Sequence, residues 1–453
     1  MWNQTRAKVF IEFTERLNSE SIRYFVLRNY KLLPEENTGK DVDIIIEPSK
    51  VKKARSILKE VYLQNDLEYF DEAIFNTMYC THGMGPKVKT GIHIDLIGGY
   101  QTKGYEILKF DELYEHTKEY KNFYVLDDLY DGVMLLIYKI FGYKEPEIKE
   151  KYREEIRDCY EKYQNRYKAQ ICRLVGSNFG SQIAELIEEN DFESIIEESR
   201  EINKRLRKFA RKQAFFKTLK GRVHYFWQKF DRVVLRYRKY KRTFAVLAPD
   251  GAGKTTFLDS LIEKLNYYYV SDPQDNKFNL YHFRPTVFPN LGEVGEKAGV
   301  MEQDKDFTNP HRQKPANPVS SFFRIAYYTF DYIVGWQKCI RRDVRMDRYS
   351  IFDRYSYDLV VDPRRTRLNL PKCIRKFFVW LTPRPGIVFI LKADADIIYE
   401  RKQELSKEEI ERQLAEYEIL SKTNKRFKVI NAEKTPDEMT DEALKILFKK
   451  YAK

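Results

Sequence analysis

Cysteine is scarce in this chain, and the long apolar runs of membrane-spanning proteins are missing from it. The five cysteines among 453 residues are scattered and form no Cys-x-x-Cys pair; they are Cys80, Cys159, Cys172, Cys339 and Cys373. This pattern argues against a disulfide framework and against a zinc site. No apolar run approaches the ~18–20 residues of a spanning helix, and the first ten residues lack the apolar stretch of a signal peptide. We therefore expect a cytoplasmic protein with reduced thiols.

Acidic residues are nearly absent from residues 204–242, which hold 16 basic residues and a single acid, Asp231, although the whole chain has a net charge of only +13. Apolar residues recur there at close to a 3.5-residue period, which predicts a long helix with one apolar face. They are Ile202, Leu206, Phe209, Phe216, Leu219, Val223, Phe226, Phe230, Val233, Tyr237 and Tyr240.

Three interpretations of this basic helix are open. A self-paired coiled coil is disfavoured, because its flanks need complementary charge. The helix could dock on an anionic membrane surface, which would make the protein peripheral on the inner face of the membrane. It could bind nucleic acid, which we regard as the less favoured partner. Alternatively, its apolar face packs against the other domains and its cations are merely solvated.

The chain divides into three regions by pattern. Residues 1–125 mix an amphipathic helix with short β-rich runs (YFVL, VDIII, IHIDLI), which predicts an α+β domain. Residues 126–243 show helical periodicity and predict a helical, basic connector. Residues 244–453 alternate strands (FAVLA, FNLYHF, YSIFD, GIVFIL, FKVIN) with loops or helices, which predicts an α/β domain with a parallel sheet whose ligands lie at the carboxyl ends of the strands.

A phosphate-binding loop is predicted in residues 244–256, FAVLAPDGAGKTT, where an apolar strand leads into a glycine loop. Gly251 and Gly253 allow the bend that turns backbone N–H groups towards a polyphosphate. Lys254 supplies the charge for the β- and γ-phosphates, and Thr255 supplies a hydroxyl for Mg²⁺. The first glycine of the usual pattern is replaced by alanine, the smallest substitute. The predicted nucleotide-binding residues are Gly251, Ala252, Gly253, Lys254, Thr255 and Thr256.

A second strand end carries charged residues suited to phosphoryl transfer. Asp353 and Arg354 directly follow the apolar strand YSIFD. An acid at this position can hold the shell of Mg²⁺, and an arginine can neutralise the transferring phosphoryl group. The simpler alternative is that Asp353 only caps the following turn.

Together, DGAGKTT and the Asp353-Arg354-Tyr355 triplet resemble the thymidylate kinase family of P-loop phosphotransferases, over about 200 residues. The resemblance implies ATP as donor and Mg²⁺ as cofactor. It also implies that Arg284 grips the phosphate of the acceptor and that Asp250 lies near the acceptor sugar. The basic helical segment with Arg401 and Arg412 resembles the lid of that family, although a solvated helix face explains its charges equally well.

The acceptor pattern departs from thymidylate kinases. They continue with a Ser…Ala-Tyr-Gln pattern that helps to hold thymine, whereas this chain reads SYDLVVDPRRTR. Three basic clusters appear instead, namely HFRP, NPHRQKP and DPRRTR. These resemble a thymidylate-kinase-like group from bacterial surface-polysaccharide biosynthesis and favour an anionic small molecule or lipid-linked glycan as acceptor. The alternative is that these arginines merely pair with Asp331, Asp343 or Asp358.

The N-terminal region contains a second signature of phosphate chemistry. Strand alternation places Asp41 and Asp43 on one face of a strand, and Asp95 can lie on a neighbouring strand. Three converging carboxylates repel one another unless a cation such as Mg²⁺ joins them. The pattern resembles the polymerase-β-like nucleotidyltransferases, but residues 27–30, Leu-Arg-Asn-Tyr, stand where that superfamily has a Gly-Ser turn. An active transferase, a degenerate ligand-binding domain and a coincidental motif are the open alternatives.

We therefore expect a two-site enzyme: a nucleotidyltransferase-like domain, a basic connector and a thymidylate-kinase-like domain that uses a nucleoside triphosphate. A homodimer is among the assemblies considered. The rivals are a nucleoside monophosphate kinase with an accessory domain, an NTP-binding scaffold or sensor without turnover, and an enzyme that modifies nucleic-acid ends.

Overall fold

The computed structural model describes residues 2–37, 39, 41–143, 145–235, 242–269, 277–289, 315–346 and 348–451. The chain folds into two compact units. The first is built mainly from Met1–Asp231, and the second from Arg232–Tyr267 together with Ser271–Lys450.

The first unit is built on a mixed seven-stranded sheet in the order β3-β4-β5-β2-β1-β9-β8. β2 pairs in parallel with β5, and β1 pairs in parallel with β9, whereas the other neighbours are antiparallel. The strands are β1 Tyr24–Val26, β2 Val42–Ile46, β3 Glu68–Phe75, β4 Met78–Gly85, β5 Thr90–Gly98, β6 Gln101–Thr102, β7 Tyr105–Glu106, β8 Thr117–Tyr120 and β9 Phe123–Leu126, of which β6 and β7 form a separate two-stranded sheet.

Helices cover both faces of this sheet. Because side chains alternate along a strand, Ile44 and Ile46 pack with α1 and α2 on one face, whereas Ile45 packs with α3 to α8 on the other. The helices are α1 Gln4–Ser19, α2 Val51–Gln64, α3 Phe110–Glu115, α4 Asp128–Ile140, α5 Glu150–Val175, α6 Ser177–Glu188, α7 Phe192–Glu197, α8 Ser199–Gln213 and α9 Phe215–Phe230.

Most of the predicted connector belongs to the first unit. The sequence separated residues 1–125 from residues 126–243, but α4 to α8 share one hydrophobic core with the sheet. The predicted long helix over residues 202–240 is also interrupted. It breaks at Ala214, which is not helical (φ −158°, ψ 77°) and separates α8 from α9. The Thr218 hydroxyl donates to the Ala210 carbonyl at 3.2 Å, which satisfies an acceptor at the end of α8.

The second unit contains the five strands that the sequence predicted, and all of them are parallel. The prediction of a parallel sheet is therefore confirmed. The order is β11-β12-β10-β13-β14, so the first strand is central and the chain later crosses to its other side. Ligands of such sheets bind at the carboxyl ends of the strands near this reversal. The strands are β10 Thr243–Leu247, β11 Phe278–His282, β12 Tyr349–Asp353, β13 Ile387–Lys392 and β14 Phe427–Asn431.

Helices connect these strands and, with the helices of the first unit, account for most of the described chain. Among the described residues, none of the helices has the length and apolarity needed to cross a bilayer. Two short π-helical segments occur, at Asp231–Leu235 and Trp336–Ile340. The helices of the second unit are α10 Lys254–Tyr268, α11 Pro318–Gly335, α12 Arg341–Arg345, α13 Asp358–Val361, α14 Lys372–Leu381, α15 Ala395–Arg401, α16 Lys407–Thr423 and α17 Pro436–Tyr451.

Candidate functional site

The glycine loop lies between the buried central strand β10 and the first turn of α10. Gly251 and Gly253 have φ values of +90° and +80°, a region that side chains with a Cβ rarely adopt. Ala248, in place of the usual first glycine, is fully buried and lies outside the left-handed region. A glycine is therefore not required by the backbone at that position, which explains why the alanine is accommodated.

The start of α10 provides the donors that a phosphate needs. Lys254 is its first residue, and Thr255 and Thr256 are exposed in its first turn. The first N–H groups of a helix have no partner within the helix, and its dipole favours negative charge at this end. This is the arrangement in which backbone groups bind phosphate oxygens.

Lys254 forms an ion pair with Asp353 at the carboxyl end of β12. The two residues meet because β10 and β12 are adjacent and parallel, with Val246 opposite Asp353. The His282 ring nitrogen Nδ1, at the end of β11, lies 3.3 Å from the other carboxylate oxygen of Asp353. Three neighbouring strand ends therefore converge on one carboxylate.

The electrostatics of this pair favour a charged carboxylate. Burial opposes the ionisation of Asp353, but Lys254 and then Arg354 lower its pKa below the ordinary value. Burial and the neighbouring Arg354 also lower the pKa of Lys254. Asp353 is thus an anion when the Lys254 ammonium is beside it. A residue that contacts the shell of Mg²⁺ needs this negative charge.

Arg354 links the end of β12 to the glycine loop. Its guanidinium donates to Asp250, to Asp358 at 3.0 Å and to the Ala248 carbonyl at 3.4 Å. Burial works against the charge, but Asp358 and Asp250 raise the pKa of Arg354, so the guanidinium stays protonated. The sequence assigned Arg354 and Asp250 to one site, and the structure places them in direct contact.

Arg365 completes this network. Its Nη1 donates to Oδ2 of Asp250 at 2.5 Å, and Arg354 donates to Oδ1. The Asp250 carboxylate therefore accepts from two guanidinium groups. Burial opposes ionisation of Asp250, yet Arg354 and Arg365 lower its pKa. The sequence named the DPRRTR segment as a basic cluster but could not show which arginine reaches the loop. That choice depends on the turn after α13.

Arg284 is placed differently from a free phosphate-binding group. It is buried, and its Nη1 donates to Asp331 at 2.6 Å. The same guanidinium lies 3.4 Å from the Phe288 carbonyl and 3.3 Å from the Pro289 carbonyl. This matches the alternative in which the arginines pair with internal acids. His311, Arg312 and Lys314 of the NPHRQKP cluster lie outside the described residues.

The predicted lid, residues 400–413, spans the end of α15, the loop 402–406 and the first turns of α16. Arg401 donates to the Ala432 carbonyl at 2.9 Å, and Arg412 donates to the Val361 carbonyl at 2.8 Å. Neither contact involves the glycine loop. The lid segment does come close to that loop, because a Cβ at Gly251 would lie 3.1 Å from Lys402 Cβ.

The carboxylates of the first unit form a second cluster. β2 and β5 are parallel, and Asp43 lies opposite Asp95. Oxygen atoms of Asp41, Asp43 and Asp95 lie within 4.8 Å of one another. Burial raises the pKa of Asp43 to about 6. Arg28 lowers this pKa, whereas the charges of Asp41 and Asp95 raise it further. This mutual repulsion is what a divalent cation would relieve, so the residues fit Mg²⁺.

The turn that replaces the Gly-Ser pattern contributes an arginine to this cluster. Arg28 Nε donates to Oδ2 of Asp43 at 2.7 Å, and its guanidinium lies over the Tyr138 ring at 4.1 Å from the ring centre. Asn29 has a φ of +54°, so the asparagine adopts the left-handed conformation for which glycine is usual. The turn is therefore formed without glycine.

The structure also groups residues that the sequence kept apart. From the sequence, the scattered cysteines argue against a zinc site, and no metal-binding role is predicted for His93. His93 Nε2 lies 2.8 Å from Asp95 Oδ1, and the ring stacks on His82. Cys80 is paired with Asp95 across β4 and β5, and ligand atoms of Cys80, His93 and Asp95 lie within 4.8 Å of one another. Only the antiparallel register could reveal this group.

The parallel sheet, the loop after its central strand and the Lys254–Asp353 pair give the second unit the architecture of a P-loop nucleotide-binding domain. Among solved structures, the chain is similar to thymidylate kinase from Ehrlichia chaffeensis. The two share 18% identity, the match covers 45% of this chain and 97% of that chain, and the TM-score is 0.30. No model of a protein family and no curated protein matches the sequence.

Proposed function

We propose that the second unit transfers the γ-phosphoryl group of ATP to an anionic acceptor, either a phosphorylated molecule or an acidic or lipid-linked glycan. The main support is a pair of ionic clusters near the carboxyl ends of β10 and β12, namely Lys254–Asp353 and Arg365–Asp250–Arg354. Lys254, which this proposal assigns to the donor phosphates, lies near Arg354, and Arg354 contacts the loop at Asp250.

In this proposal, different residues have separate roles in phosphoryl transfer. The backbone N–H groups of the loop, with Lys254, bind the donor phosphates. Thr255 and Asp353 would hold Mg²⁺, which, when bound, neutralises phosphate charge. Arg354 stabilises charge on the transferring group, and Asp250 positions the acceptor through Arg365. Phosphoryl transfer depends chiefly on such positioning and charge stabilisation, so no separate nucleophilic side chain is required.

The preference for an anionic acceptor is supported by the crowding of positive charge in the DPRRTR segment. Burial, followed by repulsion from Arg324, lowers the pKa of Arg367 in the DPRRTR segment. An anionic acceptor that bound beside Arg324 and Arg367 would reduce this repulsion. Arg284 does not add to this support, because it is buried and pairs with Asp331.

A product assay tests this function. The full chain is incubated with ATP and Mg²⁺ and with dTMP, dUMP and a panel of sugar phosphates, and products are identified by mass spectrometry. Lys254→Ala should lower kcat/KM by about 100-fold or more, because the positive charge that stabilises the transferring phosphate is lost. Lys264→Ala is the matched control, since Lys264 lies in the same helix but pairs with Asp441 at 2.7 Å.

The outcomes separate the rival functions. Rapid turnover of dTMP alone would show a nucleoside monophosphate kinase and would exclude the glycan acceptor. Tight ATP binding that depends on Lys254, with no product from any acceptor, would show a nucleotide sensor. Equal losses of kcat/KM in Lys254→Ala and Lys264→Ala would show that Lys254 has no special role.

We also propose metal-dependent nucleotidyl transfer by the first unit, because Asp41, Asp43 and Asp95 converge in the described structure. ATP or CTP with a sugar phosphate should give a nucleotide sugar and pyrophosphate. Asp95→Asn should abolish that product. Asp111→Asn, at an exposed carboxylate, should leave it unchanged. Absence of product with the wild type would reject this second activity.

A further inference from the structure

Helix α9 presents its apolar side outwards. Apolar side chains that are exposed by about half or more lie mainly at spacings of three or four residues along one face, which forms a continuous stripe. We call this set the α9 stripe; it comprises Phe215, Phe216, Leu219, Val223, Phe226, Trp227 and Phe230, the last of which is 48% exposed.

The opposite side of α9 packs on the first unit and fixes the orientation of the stripe. Gly221 is so close to Gly104 that a Cβ on Gly221 would lie 2.6 Å from the Gly104 carbonyl oxygen. At the next residue, Arg222 Nη1 donates to the Lys103 carbonyl at 2.9 Å. Gln228 Nε2 donates to the Asn76 carbonyl at 2.7 Å. The inward-facing residues of α9 are therefore polar or small, whereas an ordinary surface helix packs its apolar residues inwards.

Positive charge surrounds the stripe. Helix α9 contains no acidic residue, and Lys220 and Lys229 are exposed along it, whereas Lys217 forms an ion pair with Glu106 at 2.6 Å. Burial and the neighbouring Arg207, Lys229 and Arg222 lower the pKa of Lys103, which shows that cations crowd together beside the helix.

We propose that α9 docks on the surface of an anionic lipid bilayer, with the stripe in the headgroup region and the lysines against lipid phosphates and carboxylates. Trp and Phe on one side of a helix, with lysines beside them, match the interface between water and acyl chains. Lysine side chains can extend towards headgroups while their aliphatic stems stay in apolar surroundings. This proposal does not depend on either proposed enzymatic activity.

A bilayer fits the charge pattern better than a second copy of this chain. Two α9 helices that paired along their stripes would bring lysines of like charge together, since the helix has no acid to compensate them. An anionic surface instead attracts each Lys or Arg near it, and salt weakens that attraction.

Vesicle co-sedimentation of the full chain tests the proposal. The probes are vesicles of phosphatidylcholine with about 30% phosphatidylserine, and vesicles of phosphatidylcholine alone, at about 0.15 M salt. The wild type should bind the anionic vesicles at least about tenfold more strongly. Phe216→Ser combined with Trp227→Ser should lower that binding by about tenfold or more.

The control is a second pair of exposed aromatic residues that lies outside the α9 stripe. Phe323 and Trp380 are 69% and 64% exposed, compared with 83% and 61% for Phe216 and Trp227. Phe323→Ser combined with Trp380→Ser should leave vesicle binding unchanged. Circular dichroism and thermal unfolding of both double variants verify that they fold.

Four results would overturn the proposal. The first two are a wild type without preference for anionic vesicles, and equal losses of vesicle binding in the two double variants. The other two are a dimer that depends on the stripe and does not bind vesicles, and binding of RNA or DNA, in place of vesicles, that depends on the stripe. A Lys220→Gln variant adds a check on charge, with an expected loss of about fivefold.

Discussion

At the scale of single residues, Arg354 shows how the site is held in place. Its φ of +70° is rare for a residue with a side chain, and such strain persists where the surroundings determine the conformation. Here the backbone N–H of Arg354 donates to the Val246 carbonyl at 2.9 Å, and the guanidinium is held by Asp250 and Asp358. These contacts fix the guanidinium beside the loop, where a lysine, with one ammonium group, could not reach the same acceptors.

The two loop glycines permit a matched test of backbone and contact effects. Gly251→Ala and Gly253→Ala both place a Cβ at positive φ, which costs about 1–2 kcal/mol. Only at Gly251 would the new Cβ also lie 3.0 Å from the Ile398 carbonyl and 3.1 Å from Lys402 Cβ, whereas at Gly253 the space is open. Urea denaturation should therefore show a larger loss of unfolding free energy for Gly251→Ala. A larger loss for Gly253→Ala would contradict this loop geometry.

The Asp43 carboxyl predicts a pH dependence of stability. Its pKa is raised from 3.8 to about 6, so the folded protein binds more protons than the unfolded chain between about pH 4 and pH 6. The resulting stabilisation is full below the unfolded pKa and is lost as pH rises through the folded one. The unfolding free energy of the wild type, compared with Asp43→Asn, should fall by about 1–3 kcal/mol across this window.

Denaturant titrations at several pH values measure this difference. Added Mg²⁺ should recover stability of the wild type above pH 6 but not of Asp43→Asn, because the cation replaces the proton among the carboxylates. Parallel pH profiles for the two proteins would show that Asp43 does not titrate as described.

At the scale of elements, the packing of β13 holds α10 and its phosphate-binding turn. Phe389 of β13 is fully buried and meets the rings of Phe244 in β10 and Phe257 in α10, with centroids 6.0 Å and 6.2 Å away. Phe389→Ala should lower the unfolding free energy by about 3–5 kcal/mol. The control Phe377→Ala, at a residue that is 56% exposed, should change it by about 0.5 kcal/mol or less. Thermal and urea unfolding measure both; equal changes would reject this account of the core.

Elements with strong local patterns could be predicted from sequence. β10 to β14 are apolar runs followed by loops or helices, and α1 and α4 have clear helical periodicity, so their types were predictable. The break at Ala214 was not, because alanine is a good helix former and the 3.5-residue pattern runs through it. The break depends on the close approach of α9 to the β6–β7 hairpin at Gly104, which no local pattern contains.

At the scale of the whole molecule, each compact unit has its own hydrophobic core. Thermal unfolding followed by calorimetry should therefore show two transitions. ATP with Mg²⁺ at about 100 times its Kd should stabilise one of them by about 2.7 kcal/mol. Lys254→Ala should remove that shift, whereas Asp43→Asn should leave it intact. A single transition that ATP shifts as a whole would show that the units unfold together.

The sequence by itself determined the glycine loop, the parallel strands of the second unit and the acids at positions 41, 43, 95 and 353. These features depend on local backbone preferences and strand alternation, which neighbouring residues encode. The tertiary structure decided which charges meet: Arg365 rather than its neighbours at Asp250, Arg284 with Asp331, and Cys80 with His93. It also decided that α9 turns its apolar side outwards. Partners of this kind are distant along the chain, and only strand register and helix packing bring them together.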